Sequence, residues 1–115
     1  MAVYVPERGD LVWLSLDPQQ GHEQAGRRPC LVLSKASYNR ATDLAVIVPL
    51  TNQSKSYPFE VPVPDGFAVS GVALCDQGKN IDWKSRRADF IAAMPPEWVE
   101  KVARTFVSLL PVTLK

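Results

Sequence analysis

Short apolar runs separated by turn-forming residues are the feature that most restricts how this chain can fold. Six runs of five or six residues occupy positions 11–16, 30–34, 44–48, 59–63, 71–75 and 88–93. Val, Ile, Leu and aromatic residues dominate them, and ten prolines punctuate the chain together with Gly, Asn and Asp. Runs of this length and composition are typical of β-strands. The pattern predicts a small antiparallel sheet that closes on itself, and therefore a mainly β fold.

The last part of the chain has a different period. Pro95-Pro96-Glu97 has the composition of a helix start, and apolar residues then recur at helical spacing until Pro111. This stripe comprises Trp98, Val102, Phe106 and Leu109, broadened by Val99, Ala103 and Leu110. We expect a C-terminal amphipathic helix of about four turns packed over a β-barrel, with Trp98 and Phe106 in the core. A second, short helical turn is predicted within residues 35–42.

The size and composition of the chain exclude several kinds of protein. A chain of 115 residues can bury one core, so we expect a single domain spanning residues 1–115. No run approaches the roughly 20 apolar residues of a membrane span, and residues 1–8 lack the features of a signal peptide. We therefore expect a cytoplasmic protein that does not enter a membrane.

Charge and metal-ligating residues are both limited. Lys and Arg number 13 against 12 Asp and Glu, so any affinity for nucleic acid must come from a local arrangement of cations. One His and two Cys are too few for a structural zinc site, which needs about four ligands. One His also excludes a two-histidine acid–base pair within a subunit. Cys30 and Cys75 lie in apolar runs and are interpreted as buried free thiols.

Three polar stretches carry the side chains that could do chemistry, at residues 17–29, 49–58 and 76–87. Arg28 leads into the second predicted strand and Thr51 leaves the third, so the two could lie close together if these strands are neighbours. A guanidinium matches a phosphate with paired donors, a hydroxyl adds another, and Lys55 supplies a point charge. Such a cluster could stabilise the extra negative charge of a pentacoordinate phosphate.

RNA is a substrate that suits this set, because its 2′-hydroxyl is the nucleophile and the enzyme need only align, stabilise charge and move protons. His22 is the one side chain whose unperturbed pKa lies near neutrality, and Glu23 is next to it. Trp83 lies among four basic residues, an arrangement that suits base stacking beside phosphates. The alternatives are that His22 is an exposed loop residue, that Arg27 and Arg28 are solvated surface charges, and that Trp83 packs inward.

Several segments, taken together, resemble the MazF-type toxins, also called the PemK or Kid family. The matching segments cover nearly the whole chain, in order: Gly9-Asp10-Leu11-Val12-Trp13, Gly21-His22-Glu23-Gln24-Ala25-Gly26-Arg27-Arg28-Pro29, Val48-Pro49-Leu50-Thr51, Gln53-Ser54-Lys55, Tyr57-Pro58-Phe59-Glu60-Val61, Gly71-Val72-Ala73-Leu74 and Asp76-Gln77. The resemblance implies an SH3-like barrel of the CcdB/PemK type, a homodimer, and sequence-specific cleavage of single-stranded RNA without metal or cofactor. It also implies 2′,3′-cyclic phosphate and 5′-hydroxyl ends, and a MazE-like antitoxin whose acidic C-terminal segment occupies the RNA groove.

The resemblance also assigns roles to individual residues. Arg28 matches the arginine of the MazF branch that acts as acid–base or phosphate stabiliser, and Thr51 matches its hydroxyl partner. His22 and Asp76 match catalytic positions of the Kid branch, but Leu74 occupies the place of that branch's arginine, so a mechanism centred on Arg28 and Thr51 is favoured. Glu23 is included among the catalytic candidates because it or His22 could move the proton. The predicted RNA-binding set is Gln24, Gln53, Ser54, Lys55, Gln77, Lys79, Trp83 and Arg86.

A non-catalytic toxin on the same barrel, like the gyrase poison CcdB, is the main alternative. It would require a C-terminal helix that presents aromatic and small residues to gyrase, and residues 109–115 do not resemble that ending. A peptide-binding SH3-like module would require an exposed aromatic groove, for which Trp13, Trp83 and Trp98 are too scattered. RNA cleavage is therefore the prediction.

Overall fold

A computed structural model describes residues 3–16 and 26–112, and these residues form an antiparallel sheet with two helices. The elements in chain order are β1 (Asp10–Ser15), β2 (Arg27–Val32), α1 (Ala36–Thr42), β3 (Leu44–Thr51), β4 (Glu60–Pro62), β5 (Val72–Leu74), a 3-10 turn (Cys75–Gln77), β6 (Lys79–Asp82), β7 (Asp89–Ala93) and α2 (Pro96–Val107). The mainly β fold with a C-terminal helix is confirmed. Within the described part of the chain, no helix is long and apolar enough to cross a membrane.

The sheet is organised around β3, which has neighbours on both edges. The strand order is β4-β5-β3-β2-β1-β7, and β6 pairs with β3 as well. Ile47 is paired with Val32 of β2 on one side and with Lys79 of β6 on the other. On the same edge as β6, β5 pairs with the end of β3 at Leu50 and Thr51. β5 and β6 therefore act as one interrupted strand, and the 3-10 turn is the interruption.

Alternating side chains of the strands enter two separate cores, as the period of two in a β-strand requires. The core under α2 includes Leu11, Leu31, Val48 and Leu50 from the sheet and Trp98, Val99 and Val102 from the helix. The core on the other face includes Val12, Leu14, Cys30, Ile47, Ile81 and Trp83. Because the central strands are buried on both faces, their backbones form a rigid frame for the side chains at the strand ends.

Both helices lie where the sequence predicted them, but α2 is shorter than predicted. Trp98, Val99 and Val102 are buried, and the Trp98 indole N–H donates to the carbonyl of Pro62 at 2.7 Å. α2 ends at Val107, so it has just over three turns and not about four. Leu109 and Leu110 lie past the helix and are 37% and 54% exposed, which removes both from the predicted buried stripe. α1 lies within the predicted residues 35–42 and ends at Thr42, and the residue that caps it, Asp43, has a left-handed φ of 59°.

The polar stretch 76–87, for which no strand was predicted, contains β6. β6 has the composition Lys-Asn-Ile-Asp, with Ile81 as its one apolar residue, so it lacks the apolar run that marks the other strands. Ile81 is buried against the core opposite α2, and pairing with β3 supplies the backbone hydrogen bonds. β2 also begins earlier than predicted, at Arg27, because pairing with β1 extends to Ser15. Cys30 and Cys75 are buried and free, as predicted.

Candidate active-site cleft

A cleft opens where the ends of β2 and β3 meet the 3-10 turn, and it encloses about 570 Å³. Ten residues line it: Arg28, Thr51, Asn52, Gln53, Lys55, Tyr57, Glu60, Leu74, Asp76 and Gln77. Six of these were predicted as site residues from the sequence, namely Arg28, Thr51, Gln53, Lys55, Asp76 and Gln77. Polar groups from four separate parts of the chain therefore converge on one concave surface.

Strand register brings Arg28 and Thr51 together. The pairing of β2 with β3 ends at Cys30 and Pro49, and Arg28 and Thr51 each lie two residues beyond that pair, at the same edge of the sheet. Both side chains also line the cleft, so the proximity expected for neighbouring strand ends is confirmed. Arg28 is half-buried, so part of the residue is accessible from the cleft that it lines.

Thr51 is held tightly at the end of β3. The residue is only 9% exposed, and its Oγ1 accepts a hydrogen bond from the backbone N–H of Gln53 at 3.2 Å. That bond uses one lone pair of the oxygen, so the hydroxyl hydrogen can still donate into the cleft. Gly71 lies directly behind, with a φ of 106°, and a Cβ there would be 2.1 Å from the carbonyl oxygen of Thr51. Only glycine allows this close approach.

The 3-10 turn carries the acidic wall of the cleft. Its first residue, Cys75, is buried, and the Cys75 backbone N–H donates to the carbonyl of Phe59 at 3.0 Å. Asp76 is exposed in the cleft and Gln77 is half-buried beside it. Leu74 also lines the cleft, so an apolar side chain occupies the position at which the Kid branch has its arginine. Of the cleft's described residues, Arg28 and Lys55 carry positive charge.

Residues 52–59 form the loop above the cleft, and Glu60 organises part of it. The Glu60 carboxylate accepts hydrogen bonds from the Ser54 hydroxyl at 2.7 Å and from the backbone N–H groups of Lys55 and Ser56. These donors hold the pKa of Glu60 below its usual range, led by the backbone N–H of Lys55. Ser54, predicted to contact RNA, thus donates to a protein carboxylate in this structure. Sequence reasoning missed Glu60, although a charged residue inside an apolar run is a signal that could have identified it.

Lys79 lies on β6, outside the cleft lining, yet it shares an electrostatic environment with Arg28. Burial raises the pKa of the Cys30 thiol to about 12, while the positive charges of Lys79 and Arg28 act in the opposite direction. Both cations therefore lie near the same buried sulfur. The contact of Lys79 with RNA stays a prediction.

The structure contradicts the prediction that Trp83 stacks on a base. Trp83 is 5% exposed, and its indole N–H donates to the carbonyl of Asn39 at 3.0 Å. An indole packed in the core cannot offer its face to a nucleobase, so the inward-packed alternative is correct. Arg86 also lies outside the cleft, and its Nη1 donates to the carbonyl of Ser15 at 3.0 Å.

Arg27 is exposed, as composition favoured, but its guanidinium also has a structural role. Its guanidinium donates to the Asp89 carboxylate and to the carbonyl of Arg87, both at 2.7 Å. It also donates to the Ser15 hydroxyl at 3.2 Å. These bonds tie the start of β2 to the end of β1 and to the connection before β7. Three predicted residues, His22, Glu23 and Gln24, lie outside the described residues.

Comparison with known proteins identifies the family. The family described as PemK-like, MazF-like toxin of type II toxin–antitoxin system matches residues 7–110. The chain belongs to the PemK/MazF-like toxin family. One relative of this PemK/MazF-like chain is the endoribonuclease toxin MazF of Escherichia coli K12, which is 48% identical over 99 residues, covering 86% of this chain and 88% of that protein.

Solved structures of the PemK/MazF-like fold agree with this assignment. The crystal structure of MazF from Deinococcus radiodurans superposes with a TM-score of 0.92 at 49% identity, covering 96% of this chain and 100% of that one. A MazE–MazF structure from the same organism gives a TM-score of 0.85 at 43% identity, again covering 96% and 100% of the two chains.

Proposed function

We propose that this protein is the endoribonuclease toxin of a type II toxin–antitoxin system and cleaves single-stranded RNA at a short sequence. The observation that carries the proposal is the convergence of Arg28, Thr51 and Asp76 on one cleft. Membership of the PemK/MazF-like family supports it, as does the 48% identity to a relative named an endoribonuclease toxin. Translation and growth would stop because messenger RNA is cut.

The proposed reaction uses the substrate's own nucleophile. The 2′-hydroxyl attacks the adjacent phosphorus, the bond to the 5′-oxygen breaks, and the ends are a 2′,3′-cyclic phosphate and a 5′-hydroxyl. One proton leaves the 2′-hydroxyl and one reaches the 5′-oxygen, so an acceptor and a donor are both required. Arg28 is assigned to stabilise the negative charge of the pentacoordinate phosphate, with the Thr51 hydroxyl as a second donor. Asp76, His22 and Glu23 are the candidates for proton transfer.

Recognition is assigned to the rim of the cleft. Gln53 and Lys55 on the loop and Gln77 on the 3-10 turn offer amide and ammonium groups along the cleft. Unpaired RNA bases expose edges that such groups can hydrogen-bond, and phosphates attract the ammonium group. Lys79 and Arg86, which lie outside the cleft lining, are further proposed contacts, as is Gln24, which lies outside the described residues.

The proposal extends to the partners and location of the protein. Deinococcus radiodurans MazF has been solved together with MazE, so a MazE-like antitoxin with an acidic C-terminal segment is the proposed inhibitor. The acidic segment would compete with RNA phosphates for Arg28 and Lys55. We further propose a cytoplasmic homodimer, built from one domain spanning residues 1–115, that needs no metal or cofactor.

Replacement of Arg28 tests the assignment directly. Wild-type protein and Arg28→Ala are incubated with a long RNA in EDTA, and the cut ends are mapped. We expect Arg28→Ala to cleave about 100-fold more slowly or worse, because removing one transition-state donor has an effect of this order. Binding to a 2′-O-methyl copy of the mapped site should weaken much less.

Arg104→Ala is the matched control, because Arg104 is an exposed α2 residue outside the cleft and its loss removes the same charge. It should cleave at the wild-type rate. Near-wild-type cleavage by Arg28→Ala would refute the role of Arg28. RNA left uncut by the wild type across several sequences would refute the proposed function and favour a non-catalytic toxin of the CcdB kind.

A further inference from the structure

Glu60 presents a contradiction within a cleft proposed to bind RNA. It lines the cleft together with Arg28 and Lys55, and it carries a negative charge that would repel a phosphate. Electrostatics alone would favour a neutral residue at this position. The carboxylate must therefore contribute something that offsets the repulsion.

The contacts of Glu60 identify that contribution. One carboxylate accepts from three successive residues of the loop: the Ser54 hydroxyl at 2.7 Å, the Lys55 N–H at 2.9 Å and the Ser56 N–H at 3.1 Å. The Glu60 N–H in turn donates to the carbonyl of Tyr57 at 3.1 Å. The loop is therefore wrapped around a single side chain, and hydrogen bonds to a charged acceptor are the stronger kind.

The loop needs this support because its backbone is strained and exposed. Ser56 has a φ of 57°, a left-handed conformation that is unfavourable for a residue with a Cβ. Residues 52–59 are all exposed, and the apolar side chains that are partly covered, Tyr57 and Phe59, lie at the end of the loop next to β4, so burial does not fix residues 54–56. Glu60 itself is fixed, because it begins β4 and pairs with Leu74 of β5. The carboxylate thus connects an exposed loop to the rigid sheet.

We propose that Glu60 is a positioning residue for RNA recognition: its carboxylate holds residues 54–57 in the shape that presents Gln53 and Lys55 to the RNA. The proposal rests on the proposed function and adds a residue to it. It also changes the role of Ser54, which acts through Glu60 and not by touching RNA. Glu60 itself makes no contact with the reacting phosphate in this scheme.

The sign of one measurement separates this proposal from simple electrostatics. If Glu60 acts only as a charge in the cleft, Glu60→Ala removes a repulsion and RNA binds more tightly. If Glu60 positions the loop, the same change frees the loop and RNA binds more weakly. A loop ordered in one-tenth of the molecules lowers the apparent affinity about tenfold. The affinity is measured with the 2′-O-methyl copy of the mapped site.

We expect Glu60→Ala to raise Kd and KM about tenfold while kcat at saturating RNA changes little, the opposite of Arg28→Ala. Glu60→Gln keeps one carbonyl acceptor and should fall between wild type and Glu60→Ala. Asp65→Asn is the control, because it removes the same charge from an exposed residue outside the cleft lining. Unchanged or tighter binding by Glu60→Ala would overturn the proposal.

A double-mutant cycle tests the indirect role of Ser54. If Ser54 acts through the carboxylate, Ser54→Ala weakens RNA binding in the wild type and has almost no further effect in Glu60→Ala. Equal effects in both backgrounds would mean that Ser54 contacts RNA independently, which contradicts the proposal.

Amide hydrogen exchange of the free protein tests whether Glu60 orders the loop without requiring that the protein cleave RNA. We expect faster exchange at Lys55 and Ser56 in Glu60→Ala, with the amides of β3 unchanged. Unchanged exchange at the two loop amides would overturn the positioning role even if the wild type cleaves RNA. If the two loop amides exchange faster in Glu60→Ala than in the wild type but the wild type cuts no RNA, the proposed function is refuted instead.

Discussion

The close approach of Gly71 to Thr51 predicts that one methyl group added behind the cleft impairs it. In Gly71→Ala the new Cβ would lie 2.1 Å from the Thr51 carbonyl oxygen, where even the tightest real contacts are near 3.0 Å. The two backbones must therefore separate by about 1 Å. The left-handed φ of 106° adds about 1–2 kcal/mol of strain for a residue with a Cβ, and the steric overlap about 1–3 kcal/mol. We expect the free energy of unfolding to fall by about 2–5 kcal/mol.

The same displacement should slow cleavage, because a shift of about 1 Å in a catalytic group can reduce the rate about 100-fold. Urea denaturation gives the stability, and single-turnover cleavage at a temperature at which the variant is folded gives the rate. Gly66→Ala is the matched control: its φ is also left-handed, at 88°, but a Cβ there has nothing within 4 Å. Gly66→Ala should lose only the stability that corresponds to backbone strain, about 1–2 kcal/mol, and should cleave RNA at the wild-type rate. Equal stability of the two variants, with full activity in both, would refute the reasoning.

Two further predictions concern residues whose interpretation changed with the structure. Arg27→Met should lower the free energy of unfolding by about 1–2 kcal/mol, because it removes hydrogen bonds to the Arg87 carbonyl and the Asp89 carboxylate, both at 2.7 Å. Arg104→Met removes only an exposed ion pair within α2 and should cost less than about 0.5 kcal/mol. Equal losses of stability in urea denaturation would contradict this prediction. Trp83→Phe should lower stability by about 1–3 kcal/mol through loss of the buried indole hydrogen bond while RNA affinity stays at the wild-type value, and a stable variant that bound RNA poorly would restore the base-stacking role.

Most of the fold follows from local sequence signals, and the exceptions have a common cause. The apolar runs and the amphipathic stripe predicted six strands and α2 because burial is what those patterns encode. β6 was missed because its stability comes from pairing with β3, which no pattern within Lys79–Asp82 records. α2 ends a turn early because Leu109 and Leu110 find no core surface to cover, a fact of tertiary packing and not of helical period.

The site was predictable to the extent that strand register determined it. Arg28 and Thr51 came together because they end neighbouring antiparallel strands, so the sequence order of the strands was enough. The prediction that Trp83 stacks on a base was wrong because the sequence around an indole among basic residues is the same whether the ring faces water or the core. Glu60 was missed for the reverse reason: its partners are backbone N–H groups of a loop, and their direction depends on backbone angles that residue types do not specify.

The interruption between β5 and β6 has a consequence for how such a protein can diversify. β3 carries Thr51 and is buried on both faces, whereas the loop 52–59 and Asp76 of the 3-10 turn project from the sheet without contributing to its central packing. Substitutions at exposed loop positions can therefore alter which bases fit while leaving the alignment of the cutting groups intact. Replacing residues 52–59 by the loop of a relative should therefore transfer the cleavage preference of that relative, provided that the carboxylate of Glu60 is kept.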